Sequence, residues 1–201
     1  MLQLEAEQIV QLFNARFKVE YNTILIAGAD EPLYLPASCS DESFSHRSMI
    51  QGGASVCKLH RIFFTKDYVR SALHEIAHWV IAGSERRLQL DYGYWYRPDG
   101  RNELQQKEFE RVEILPQAIE WLFCEACQIP FSPSLDNLKA PSDSNDERHF
   151  LQRIIDRKTQ IQKENVPDRA QLFIDAITTM MKTLKNKNIG RCANELEKLH
   201  A

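Results

Sequence analysis

The chain has 201 residues, 43% of them hydrophobic and 26% charged, with a formal net charge of −3 at pH 7. This length suits a single domain with a continuous core, and the composition excludes both disorder and nucleic-acid binding driven by net charge. No apolar run approaches the ~18 residues of a membrane span and no signal-peptide pattern is present, so neither membrane insertion nor direct nucleic-acid binding is expected. The five cysteines (Cys39, Cys57, Cys124, Cys127 and Cys192) are odd in number and irregularly spaced. They read as reduced thiols in a cytoplasm and not as a disulfide framework.

Leu4, Ile9, Leu12, Phe13 and Phe17 recur at helical spacing and predict an amphipathic helix over 4–18. Thr23–Ala27 and Leu33–Leu35 read as short strands, joined by the Gly28–Pro32 turn. Residues 37–56 are rich in Ser and Gly, without a sustained period, and predict a loop. His60–Phe64 is a third strand candidate leading into a helix over the late 60s to Gly83, with Asp67 as its cap and Gly83 as its end. Residues 88–96 read as extended, followed by an Arg97–Gly100 turn. A long helix is predicted over 103–127, with an apolar stripe of Phe109, Val112, Leu115, Ile119, Leu122 and Ala126 and a kink at Pro116. After a Pro/Ser/Asp-rich connection at 129–145, further helices are expected near 146–164, 168–185 and 191–200. The fold class is α+β: one catalytic domain over 1–201, a small sheet in the N-terminal half packed by a majority of helices.

The segment His74-Glu75-x-x-His78 carries the chemistry. Two imidazoles four residues apart share one helix face, so both can reach a single metal ion. Glu75 is then placed to hold a metal-bound water, act as a base, or ligate. With only six histidines in the chain, this spacing around a glutamate points to a metal site. A third ligand is required. Glu110, Glu113, Gln117 and Glu120 fall on one polar face of the long helix, a pattern that for Glu110 and Glu120 equally fits a solvated surface. Glu113, one turn before Pro116, is the first choice; Glu120 is the alternative, with His60 behind both. Cys124-x-x-Cys127 lacks a partner pair and reads as core. Tyr94, Trp95 and Tyr96 are candidate walls of a substrate channel, and Arg86, Arg87, Arg97 and Arg101 form a candidate basic patch for an acidic partner.

A longer string of motifs adds to this. His74-Glu75-Ile76-Ala77-His78-Trp79, Ile81-Ala82-Gly83, Arg86-Arg87, Asp91–Tyr96 and Pro98–Arg101 precede Phe109-Glu110-x-Val112-Glu113-x-x-Pro116-Gln117-Ala118 and Trp121–Cys124. Asp30-Glu31-Pro32-x-Tyr34-Leu35-Pro36, Pro130-Phe131 and Asp136-Asn137-Leu138 extend the series. In this order the motifs resemble the elongation factor P hydroxylases, over most of residues 21–140, with 37–58 reading as a loop insertion and 146–201 as C-terminal helices. The resemblance implies a bacterial enzyme that hydroxylates the β-lysylated lysine of translation elongation factor P, its protein partner. It implies a divalent metal, Fe(II), with O2 as co-substrate, held by His74, His78 and Glu113. Glu75 would be a catalytic carboxylate beside the metal, and Tyr94, Trp95, Tyr96, Arg97 and Arg101 the substrate-binding set. The sequence assigns no electron donor. The rival reading is a zinc-dependent HExxH metallopeptidase with Glu75 as general base.

Overall fold

The computed structural model describes residues 3–37, 58–93, 101–134 and 144–199, with side chains in the last span from 147 to 187. Helix α1 (Ala6–Phe17) opens with a reciprocal Glu5/Gln8 capping box. It turns Ile9, Phe13 and Phe17 inward and packs on strand β1 (Thr23–Ala29). Strands β2 (Leu33–Leu35) and β3 (His60–Thr65) complete a three-stranded sheet of order β1-β3-β2. The central strand β3 pairs parallel with β1 and antiparallel with β2. Its inner residues are buried throughout, as a strand covered on both faces requires. A bulge between Ile26 and Ala29, with Gly28 at φ 94°, shifts the register before Ala29 pairs with Thr65.

From β3 the chain enters helix α2 (Val69–Ile81), which carries the HExxH segment. Its start differs from the expectation. Tyr68, not Asp67, is the cap residue, and it makes no side-chain capping bond. The helix also stops at Ala82, which is extended; Gly83 is not its left-handed terminator. Arginines from elsewhere serve that end: Arg87 Nη1 donates to the Ala82 carbonyl at 2.7 Å, and Arg169 Nη2 bonds the same oxygen. Positive charge at a helix C-terminus is favourable.

The extended reading of 88–96 is not what the described part shows. Arg86–Leu88 and Leu90–Gly93 are short 3₁₀ turns, with Asp91 and Tyr92 in the left-handed region at φ 45° and 59°. For an L-residue such as tyrosine this costs about 1–2 kcal/mol. Tertiary contacts offset it. Asp91 Oδ1 accepts from the Tyr34 backbone at 2.7 Å, Arg86 Nε donates to the Tyr92 carbonyl at 2.9 Å, and the Tyr92 ring stacks on Tyr34 at 4.1 Å. The turn is thereby tied to β2.

Helix α3 (Glu103–Cys127) starts at an Asn102/Gln105 capping box and stays helical through Pro116. Helices α4 (Ser144–Glu164) and α5 (Asp168–Leu199) follow; the two last helices expected from sequence are one, running through Gly190. A single apolar cluster unites the layers, with Trp79 of α2, Phe123 of α3 and Phe173 of α5 among its largest members. A smaller cluster of Leu33, Leu35 and Phe63 covers part of the sheet. No helix among the described residues is long and apolar enough to cross a membrane.

Candidate metal centre

Helices α2 and α3 pack side by side, and their polar residues meet in the contact. The expected apolar stripe of α3 is only partly buried: Phe109, Ile119 and Leu122 are inside, while Val112, Leu115 and Ala126 are half-buried. The polar row fills the rest of the interface. Glu113 is 1% exposed, Glu120 2%, and Gln117 fully buried. The solvated-face reading of Glu120 is thus overturned. Glu110 is half-buried near Arg153, at 3.6 Å. Carboxylates are buried at this depth only when opposite charge or a cation compensates them.

Among the described residues, His74, His78 and Glu113 form a group of three donors whose ligating atoms all lie within 4.8 Å of one another. The Nε2 atoms of His74 and His78 are 3.1 Å apart. Glu113 Oε1 stands 3.2 Å from His78 Nε2, and its Oε2 3.5 Å from His74 Nε2. Donors sharing one ion at bonds of about 2.0–2.2 Å stand roughly 3–3.5 Å from each other, so the donor set fits a divalent cation. Two imidazoles and one carboxylate also match the triad of non-haem iron oxygenases.

The charges agree with the distances. Burial opposes the His74 imidazolium, but the Glu120 hydrogen bond and the charges of Glu113, Glu120 and Glu75 outweigh it and raise the group to about 10. Burial likewise opposes the Glu113 carboxylate, yet His78 and His74 hold it down to about 2. Glu75 shifts the other way. Burial pushes it up against the pull of the two histidines, with the charges of Glu113 and Asp91 adding to the rise.

Glu120 lies on the far side of the His74 ring from the other donors. Its Oε2 is 3.0 Å from Nδ1, and its Oε1 accepts from Arg70 at 3.1 Å (Nε) and 2.7 Å (Nη2). Nothing in the sequence marks Arg70, since an arginine one turn before an HExxH looks like surface. In sequence Tyr92 reads only as part of an extended aromatic run. In the structure its ring lies parallel to His78 with centroids 6.5 Å apart. His60, the last of the ligand candidates, is not in the donor group; it faces Tyr34, whose hydroxyl is 3.0 Å from its Nδ1.

Of the expected substrate-binding set, only Arg101 falls among the described residues. Tyr94, Trp95, Tyr96 and Arg97 lie outside the described residues, as do Asp136–Leu138 and the 38–57 part of the expected insertion. Arg101 is buried, with its guanidinium 3.8 Å over the Phe109 ring and its Nε bonded to Gln106. Arg86 and Arg87 direct donors at backbone carbonyls of their own chain. Cys124 and Cys127 are buried free thiols that burial pushes up to about 12, as the core reading requires.

A profile of the elongation factor P hydroxylases matches residues 12–189. The chain belongs to this family. It is also similar to the elongation factor P lysine hydroxylase of Haemophilus influenzae, at 38% identity over 185 residues, covering 92% of this chain and 94% of that one. The family match spans both helices that supply the donors.

Proposed function

We propose that this protein hydroxylates the modified, β-lysylated lysine side chain of translation elongation factor P, using a non-haem divalent metal, Fe(II), and O2. The observation that carries the reading is the convergence of His74, His78 and Glu113 in a chain of the hydroxylase family. A redox-active ion bound there would supply the activation of O2 that insertion into an unactivated C–H bond demands; one oxygen atom enters that bond and the other leaves as water, with two electrons from an external reductant and two protons. The chain's residues do the rest. With the ion bound, His74 and His78 would offer their Nε2 lone pairs and Glu113 one anionic ligand, and Tyr92, whose ring lies parallel to that of His78, would help exclude water. To Glu75, half-buried and shifted towards its neutral form, this reading assigns the holding or return of a proton at the reacting centre.

The reading extends to one catalytic domain over 1–201 acting in the cytoplasm on a protein partner. The zinc peptidase alternative assigned Glu75 to amide hydrolysis, and the family membership argues against it. Intact-mass analysis of elongation factor P from cells with the gene, without it, and with His78→Ala tests the proposal. Only the first is expected to carry the additional mass of one oxygen atom. Equal masses in all three would overturn it.

A further inference from the structure

Besides Glu75, the site contains a second carboxylate that the donor set does not use. Glu120 is almost fully buried, and both of its oxygens are committed: Oε2 to His74 Nδ1 at 3.0 Å, Oε1 to the two Arg70 nitrogens. Arg70 is fixed in turn. Its Nη1 donates to Ser132 Oγ and its Nη2 to the Ser132 carbonyl, both at 2.6 Å, while its guanidinium lies 5.2 Å over the Phe131 ring. Two residues further on, Ser134 is clasped by Gln117, which donates to its carbonyl at 2.7 Å and accepts from its amide at 3.0 Å. The same Gln117 amide reaches Glu113 Oε2 at 3.4 Å. One short segment, Phe131–Ser134, therefore braces the partners of both His74 and Glu113.

From this geometry we infer that Glu120 and Arg70 are positioning residues for the metal centre: Glu120 holds the His74 ring with its proton on Nδ1 and its lone pair on Nε2, and Arg70 keeps Glu120 from swinging in as a ligand itself. A histidine ligand needs its other ring nitrogen anchored to fix both tautomer and orientation. Arg70 makes a fork-type contact that a lysine would not reproduce. This rests on the metal-centre reading above and adds to it a reason for the buried Glu120–Arg70 pair that ligation alone does not give.

The test is Co²⁺ titration of the full-length, metal-free protein, followed by its visible absorption, with Glu120→Gln, Glu120→Asp and Arg70→Met beside the unaltered chain. Glu120→Gln is expected to weaken Co²⁺ binding about 10–100-fold, and Glu120→Asp to recover part of the loss. Adding Arg70→Met to Glu120→Gln should cost less than Arg70→Met alone, because the two act through one ring. Long-range ¹H–¹⁵N spectra of the Zn²⁺-loaded protein should place the His74 proton on Nδ1, and a melting curve checks that each variant folds. Should the unaltered protein bind no Co²⁺, the metal reading falls and this proposal with it. If it binds and Glu120→Gln binds equally tightly with unchanged His74 shifts, only the positioning role is overturned.

Discussion

At the scale of single residues, the metal-free centre behaves as an imidazolium–carboxylate cluster. His74 is raised from 6.5 to about 10, so its protonation stabilises the fold fully below about pH 6.5, an effect lost as pH rises through 10. Glu113 is lowered from 4.5 to about 2; its contribution is full above about pH 4.5 and is lost as pH falls through 2. Both are therefore complete between about pH 4.5 and 6.5. A cation at Nε2 must displace the proton that His74 holds there. Metal binding at pH 7–8 should release about one proton, and the apparent affinity should rise about tenfold per pH unit in that range. Zn²⁺ calorimetry in two buffers of different protonation enthalpy reads the proton count directly. A count of zero would show that His74 is already neutral in the metal-free site.

At the scale of elements, the residue that follows the second histidine does a different job from its neighbour. Trp79 points away from the donors into the core. It meets Phe13 at 5.1 Å, Phe17 at 4.9 Å and Tyr21 at 5.5 Å, with Arg169 of α5 stacked 4.6 Å above. It fastens α2 between α1 and α5. Trp79→Ala should destabilise the fold by about 3–5 kcal/mol in denaturant unfolding, while Trp79→Phe should leave Co²⁺ affinity within about twofold. A large affinity loss in Trp79→Phe would place the ring in the site after all. Much of this scale was legible in the sequence because periodicity is local: the bounds of α3 and β2 follow from apolar spacing and turn residues alone, while β1 runs two residues into the expected turn, to Ala29, and β3 one residue further than expected, to Thr65. The turn at 86–93 was not legible. Its left-handed Asp91 and Tyr92 are held by Tyr34, fifty-seven residues from Asp91, and alternating aromatics mimic a strand when that partner is unknown. The same limit applied to the α3 polar row. Glu120 fits a solvated face as well as a site until α2 is seen to cover it, along with Glu113 and Gln117, with its own histidines and Arg70.

For the whole molecule, the centre joins two helices that otherwise meet through apolar packing. His74 and His78 come from α2, and Glu113 and Glu120 from α3, with fifty residues separating Arg70 from Glu120. An ion bound across this junction belongs to the folded state alone, since the unfolded chain has no reason to bring the three donors together. Metal held at 100 times its dissociation constant should then add about 2.7 kcal/mol. For a chain of this size that corresponds to a rise in Tm of roughly 5–10 °C. Removing metal with a chelator should reverse the rise, and His78→Ala should melt at one temperature with or without chelator. The comparison also separates this centre from adventitious surface binding, because an ion held by exposed carboxylates would stabilise His78→Ala as much as the parent protein. Equal chelator sensitivity in the two proteins would therefore move the stabilising ion away from the α2–α3 junction.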